Sequence, residues 1–342
     1  MVVILDANII IKNPRMDSNF HKLLFDYLEK TDSYILLPKL VLDESKAVYK
    51  RRLIENYEKY QEKGNLLNTL LISRKELESV DIEKEVENFI SHILSIYSKF
   101  HKNYLIEYDP MMLEESVRRA INKIRPCSEK KEEFRDTLLW LTVLNAAKTQ
   151  DEKNIIFISD NTSDFCSNNN QLHPDLINDL KTNDVQVYYF QTIEAFIEKY
   201  ADKINKLTDS VVEQYLYSNN IELEIFKILD SSIYRNIIQR FLERKYDDID
   251  DLELIDHQIF LNTFNLYEMK YSTYLLITFC DYALDVQFSH EDDEDYSYNS
   301  CFSNHKYSDK QLRLELKIQF VLNEEFDVIN WDLLDIDDID FN

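Results

Sequence analysis

Short apolar runs alternate with amphipathic segments over the first two hundred residues. The runs VVIL at 2–5, YILLP at 34–38, NIIFIS at 154–159 and VQVYYF at 185–190 have the length and composition of buried strands. Between them, apolar residues recur every three or four positions, as they do on one face of a helix. Strands that alternate with helices favour a parallel sheet covered by helices, so we predict an α/β core.

The predicted helices include one that Ser18 caps and that runs to about residue 29. The others span about 39–63, 66–78, 82–101, 111–124, 134–148 and 192–200. Residues 103–107 fit either a short strand or a helix end. The helices between about 45 and 125 are predicted to form an insertion on one side of the sheet.

The pattern changes beyond residue 205. A helical pattern continues over about 205–245 as a linker, and alternating apolar and polar residues over about 252–330 predict antiparallel strands. EDDEDYSYN at 291–299 is predicted to be a solvated turn, and WDLLDIDDIDFN at 331–342 an acidic tail. We therefore expect an α/β domain over 1–204 and a smaller C-terminal α+β domain over 205–342.

The net charge of −25 is unevenly distributed between these parts. Residues 1–200 hold 27 Lys and Arg against 33 Asp and Glu, whereas residues 201–342 hold 12 against 31. Long-range attraction of the whole chain to nucleic acid is therefore not expected, and a polyanion must be held by local basic groups and metal. The balance of −19 in the C-terminal part also suits a surface that docks a basic partner.

Composition excludes several classes of protein. Gly64 is the only glycine, which removes the glycine-rich loops of dinucleotide-binding and P-loop proteins, so no nucleotide cofactor is expected. The four cysteines are far apart, no secretory leader is visible and no apolar run of about 18 residues occurs. We expect a cytoplasmic protein without a membrane segment.

Acidic residues lie where the predicted strands end. Asp6 follows VVIL directly, and Asp160 follows NIIFIS with Asp164 four residues further. Asp136 lies in the first turn of the 134–148 helix, and Glu44 lies one or two turns into the helix after the second strand. Ligands of open α/β sheets bind at the carboxyl edge, so we expect these acids to gather there.

Several carboxylates at one edge repel one another unless a cation lies among them. Oxygen ligands without thiolates favour Mg²⁺ or Mn²⁺, which activate water and neutralise charge on a phosphodiester. Each acid also has a purely structural interpretation. Asp160 suits a turn, Asp136 suits a helix start and Glu44 suits a solvated helix surface.

The order of these motifs resembles the four acidic motifs of PIN-domain nucleases. The motifs are LDANIII at 5–11, LPKLVLDES at 37–45, EEFRDTLLWLTV at 132–143 and FISDNTSDF at 157–165. The segment RPCSEKKEEFRDTLLW followed by SDNTSDF is similar to a bacterial PIN-like branch with a C-terminal extension. The resemblance covers about residues 1–200, and the third and fourth motifs are its most specific parts.

The resemblance implies hydrolysis of RNA, less often DNA, with one or two divalent ions held by the acids. Position by position, it implies that Asp6, Glu44, Asp136 and Asp164 are metal-site acids, with Asp160 at a position that often carries an additional acid. Asp160 and Asp164 remain alternatives for the closer ligand. Asn8 and Asn161 match polar positions that orient the site. PIN domains commonly pair, so a homodimer is a further expectation.

Basic residues beside these acids are candidates for contact with nucleic-acid phosphates: Lys12, Lys130, Lys131 and Arg135. A solvated surface is the equal alternative for each of them. A nuclease with an added acidic domain would suit a toxin or an anti-phage defence effector, controlled by a protein regulator.

Two other functions compete with the nuclease. A haloacid-dehalogenase-type phosphatase also places an Asp after the first strand, but it needs a second Asp where this chain has Asn8. A catalytically silent PIN-fold module that docks a partner through its acidic C-terminal domain is the alternative of a different class.

Overall fold

The computed structural model describes residues 1–128, 133–149, 154–167, 171–218, 221–246, 249–291 and 305–341. It divides into two compact units, Met1–Ala201 and Asp202–Asn342. No helix in the described ranges is both long and apolar enough to cross a membrane.

The N-terminal unit is built on a sheet of five parallel strands. In chain order they are β1 (Val2–Leu5), β2 (Tyr34–Pro38), β3 (Leu105–Ile106), β4 (Asn154–Ile158) and β5 (Gln186–Phe190). Their order across the sheet is β3-β2-β1-β4-β5, and every pair of neighbours is parallel. All four residues of the central strand β1 are fully buried, as the continuous apolar run VVIL requires of a strand covered on both faces. The predicted α/β fold class is confirmed.

Nine helices of this unit lie in the described ranges. They are α1 (Ala7–Lys12), α2 (Asn19–Lys30), α3 (Lys39–Leu70), α4 (Ile82–Tyr97), α5 (Met111–Asn122), α6 (Phe134–Thr149), α7 (Thr162–Phe165), α8 (Pro174–Asn183) and α9 (Ile193–Tyr200). Ser18 caps α2 through a hydrogen bond that its Oγ accepts from the His21 N–H. The insertion after β2 consists mainly of α3 and α4, which pack on each other.

The separate helix predicted over 66–78 is wrong. Helix α3 continues to Leu70, and the chain then returns along the helix without regular structure until α4. The Asn68 side chain holds this return, because it bonds both the N–H and the carbonyl of Lys75. Gly64 makes room for the return: a Cβ there would lie 2.5 Å from Cδ2 of Leu77. The apolar residues over 66–78 do not form one buried helix face, since Leu66, Leu67, Leu70 and Ile72 are exposed.

The C-terminal unit combines three helices with a four-stranded antiparallel sheet. The helices are α10 (Asp209–Ser218), α11 (Ile221–Leu229) and α12 (Ser232–Leu242), and the strands are β6 (Asp250–Glu268), β7 (Tyr274–Glu291), β8 (His305–Leu322) and β9 (Val328–Phe341). The strands follow one another in the order β6-β7-β8-β9. Alternate residues of β8, from Leu312 to Leu322, are buried in one core with the apolar faces of the helices.

Two expectations for this unit need correction. The segment at 205–245 is a packed layer of the core and not a linker, because Val212, Ile225 and Ile238 are buried against the sheet. The acidic tail is strand β9, which pairs with β8 from Leu322–Val328 to Leu312–Phe341. Its frequent aspartates obscure the alternation of apolar and polar residues that is typical of a strand. Charged residues are nevertheless common on edge strands, where they prevent pairing with other chains. Most of 291–299 lies outside the described residues.

Candidate metal centre at the carboxyl edge of the sheet

The acids identified from the sequence lie where the strands end and the helices begin. Asp6 follows β1 and caps α1, Asp136 lies in the first turn of α6, and Asp164 lies in the short helix α7. Glu44 lies in the second turn of α3, after β2, and Asp160 follows β4 with one residue between. Sequence-distant acids thus share one edge of the sheet because the strands are parallel.

Three acids come close enough to share an ion. One oxygen each of Glu133, Asp136 and Asp164 lie within 4.8 Å of one another. Opposite ligands of a bound Mg²⁺ are about 4.2 Å apart, so small side-chain movements bring these oxygens to ligand distance. A set of carboxylate oxygens without nitrogen or sulfur ligands fits Mg²⁺ or Mn²⁺.

Glu133 was not among the residues selected from the sequence. It directly precedes α6, and its carboxylate reaches the same place as that of Asp136, three residues later. Residues three apart lie on one face of a helix, so the spacing in EEFRD could have indicated it.

Asp6 is held by three hydrogen bonds next to this cluster. Its Oδ1 accepts from the Ala7 N–H at 2.6 Å, and its Oδ2 accepts from Ser159 Oγ at 2.6 Å and from Asn8 Nδ2 at 3.0 Å. Only 5 % of Asp6 is exposed. The carboxylate is therefore fixed in one orientation before any ligand arrives.

Ser159 is a second residue that the sequence analysis missed. Its buried hydroxyl donates to Asp6 and accepts the Asn161 N–H at 3.1 Å, so it joins the ends of β1 and β4. The hydroxyl of Tyr189 donates to the Ser159 carbonyl from β5. A serine at the end of an apolar strand was the available signal, but its partner lies 153 residues away.

Asn8 and Asn161 both bond into the site, as polar orienting residues would. Asn8 Oδ1 accepts the Asp160 N–H at 3.3 Å, in addition to the Nδ2 contact with Asp6. Asn161 Nδ2 donates to Asp136 Oδ1 at 3.0 Å, and Ser163 Oγ donates to Asn161 Oδ1 at 3.0 Å.

The electrostatics of the edge favour protons or a cation. Burial, opposed by the Ser159 hydrogen bond, raises the pKa of Asp6 to about 6. Burial and the charges of Asp6, Asp164 and Glu133 raise the pKa of Asp136 to about 7. Ionising Asp6 and Asp136 at the same time therefore costs free energy, and a bound divalent ion would offset that cost.

Glu44 and Asp160 each pair with a cation. Arg135 Nη1 lies 2.6 Å from Glu44 Oε1, and Lys12 Nζ lies 2.6 Å from Asp160 Oδ2. The Lys12 contact lowers the pKa of Asp160. Neither Glu44 nor Asp160 belongs to the three-acid cluster found within the described residues, although the charge of Glu44 raises the pKa of Asp6. Lys130 and Lys131 lie outside the described residues.

A parallel sheet with carboxylates gathered at its carboxyl edge is an arrangement that can hold the divalent ion of a phosphodiester-cleaving enzyme. Residues 3–165 match the family model of the PIN domain, so this part of the chain is similar to that family. The predicted resemblance is confirmed. The PIN domain is a nuclease fold that typically depends on divalent metal. No curated protein and no solved structure matched the chain.

Proposed function

We propose that this chain is a divalent-metal-dependent endoribonuclease whose metal centre is the carboxylate edge of the N-terminal unit. The observation that carries the proposal is the convergence of Glu133, Asp136 and Asp164 within 4.8 Å, in a domain of a nuclease family. Burial and the negative charges of Asp6, Asp164 and Glu133 raise the pKa of Asp136 to about 7, and a bound divalent ion would offset this repulsion.

Glu133, Asp136 and Asp164 would hold Mg²⁺ or Mn²⁺, with Asp6 beside them and Glu44 and Asp160 at the rim. A bound divalent ion supplies an activated water and neutralises charge that develops on the phosphate. The chain itself supplies orientation: Ser159 and Asn8 fix Asp6, and Asn161 fixes Asp136. Acids held in advance lose little freedom when an ion binds.

The test is cleavage by the purified full chain. Labelled single-stranded RNA and DNA are incubated with Mn²⁺, Mg²⁺ or EDTA, beside the Asp6→Asn and Asp136→Asn variants. Asp43→Asn is the matched control, because Asp43 is an exposed aspartate that pairs with Lys39 beside the site. We expect metal-dependent cutting of RNA that disappears in Asp6→Asn and Asp136→Asn and persists in Asp43→Asn.

The other outcomes separate the alternatives. Preference for DNA would correct the substrate, and activity that survives in both site variants would reveal a contaminant. A folded chain that neither cuts nor binds Mn²⁺ would refute the nuclease and favour a binding module that docks through the acidic unit.

The proposal extends to the role of a toxin or defence effector with a controlled nuclease. The support is the acidic C-terminal unit, which has its own core and could serve as a control element. The test is the growth of cells that express the wild type or Asp136→Asn. Growth arrest by the wild type alone supports the role, whereas equal growth contradicts it.

A further inference from the structure

Two cations lie on either side of Asp6 along the carboxyl edge. Strand β1, which ends at Asp6, lies between β2 and β4 in the sheet. Arg135 pairs with Glu44, which follows β2, and Lys12 pairs with Asp160, which follows β4. The order of the strands therefore separates the two ion pairs and places Asp6 between them.

In both pairs the cation is the more exposed partner. The side chains of Lys12 and Arg135 are 60 % and 62 % exposed, against 32 % for Asp160 and 26 % for Glu44. The Glu44 contact uses one guanidinium nitrogen, while a guanidinium has five N–H donors and an ammonium has three. Both cations thus present donors to solvent while a carboxylate orients them.

Stability alone is a weak reason for these pairs. Ion pairs between exposed groups contribute only about 0–1 kcal/mol. The chain as a whole carries a net charge of −25, so a polyanion that reaches the acids needs cations at that place. A cation on each side of Asp6 meets this need, because backbone phosphates recur on both sides of a cleaved bond.

We propose that Lys12 and Arg135 form two phosphate-binding positions that hold the backbone of a single-stranded nucleic acid across Asp6 and the acid cluster. The inference rests on the proposed function for the identity of the ligand. Both contacts are to phosphates, so they place the strand without selecting its sequence. The bound strand runs along the sheet edge, from the Glu44 side to the Asp160 side.

The experiment measures binding apart from cleavage. The full chain carrying Asp136→Asn is titrated into labelled single-stranded RNA or DNA of twelve nucleotides, with EDTA or with Ca²⁺, and anisotropy is recorded at several salt concentrations. Lys12→Gln and Arg135→Gln are added to this background singly and together. Lys39→Gln is the control, since Lys39 is a lysine of α3 that pairs with Asp43.

Each site substitution is expected to weaken binding about five- to tenfold, and the double variant by roughly the product. The slope of log affinity against log salt should fall by about 0.7 for each lost phosphate contact to a single strand. Lys12→Arg and Arg135→Lys, which keep the charge, should retain most of the salt slope. Circular dichroism confirms that all variants are folded.

Unchanged affinity and salt slope in both Gln variants would overturn the inference, as would a wild type that binds neither RNA nor DNA. The pairs would then serve to neutralise Glu44 and Asp160. The outcome is separable from that of the nuclease. If binding depends on Lys12 and Arg135 but the chain cuts nothing, the phosphate-binding positions stand and the nuclease is refuted. If the chain cuts nucleic acid but binding does not depend on these residues, the nuclease stands and the phosphate-binding positions are refuted.

Discussion

The side-chain amide of Asn161 donates a 3.0 Å hydrogen bond to Oδ1 of Asp136, from the turn after β4 to the first turn of α6. The two residues are 25 positions apart, and the contact fixes the orientation of an acid whose neighbours are also acids. It also lowers the pKa of Asp136 against the effects of burial and of the nearby negative charges.

We predict that Asn161→Ala weakens Mn²⁺ binding and cleavage about 10- to 100-fold, as loss of an orienting partner usually does. The measurement is Mn²⁺ titration by calorimetry together with the cleavage rate at saturating metal. Asn161→Asp adds a further negative charge and should destabilise the metal-free protein instead. Wild-type metal affinity in Asn161→Ala would contradict the orienting role.

The stability of the metal-free protein should depend on the ionisation of Asp136. Its pKa is about 7 in the folded chain and 3.8 in an unperturbed carboxyl, so the folded state binds more protons between about pH 4 and pH 7. Stability from this group is therefore highest at low pH, falls as pH rises through that window and then levels off.

Asp136→Asn removes the charge and keeps the oxygen that accepts from Asn161. In EDTA the variant should have a higher apparent melting temperature than the wild type at pH 8, and this difference should be much smaller at pH 4.5. Since one pKa unit corresponds to about 1.4 kcal/mol, the stabilisation at pH 8 is at most roughly 4 kcal/mol. A variant less stable than the wild type at pH 8 would contradict the prediction.

Divalent metal should stabilise the wild type, because an ion that binds only the folded chain raises the free energy of unfolding. The increase is about 2.7 kcal/mol when the free ion concentration is one hundred times the dissociation constant. Protons compete for the same oxygens, so the shift in melting temperature on adding Mn²⁺ should be larger at pH 8 than at pH 5.5.

The same melting experiment distinguishes Asp160 from Asp164. Asp164 belongs to the cluster, so Asp164→Asn should abolish the Mn²⁺ shift, as Asp136→Asn should. Asp160 is paired with Lys12, so Asp160→Asn should retain most of it. The reverse result would make Asp160 the closer ligand.

The hydroxyl of Ser159 should matter for both stability and activity. Ser159→Ala removes a donor to Asp6 and the acceptor of the Asn161 N–H in a fully buried position. We expect destabilisation of roughly 1–3 kcal/mol, with a pKa of Asp6 that rises further because the hydrogen bond from Ser159 lowers it. Urea unfolding measures the first effect, and the pH profile of cleavage measures the second. Ser159→Thr, which keeps the hydroxyl, is the control.

Much of the N-terminal unit could be predicted from local pattern. VVIL, YILLP and NIIFIS are continuous apolar runs, and only a strand covered on both faces buries such a run completely. An acid directly after a buried strand is costly unless it has a role, which is why Asp6 was identifiable from its position alone. Asp136 was identifiable because it begins an otherwise apolar helix.

The sequence by itself therefore determined four of the five strands of the N-terminal unit, its parallel α/β fold and the edge at which the acids gather. Only the tertiary structure decided which of them share one place, because hydrogen bonds and ion pairs join residues far apart in the chain. Ser159 reaches Asp6 across 153 positions, and Lys12 reaches Asp160 across 148. Pairing with β8 likewise decided that the aspartate-rich segment Val328–Phe341 forms strand β9. Such a segment is stable as a strand only when the neighbouring strand supplies its backbone hydrogen-bond partners.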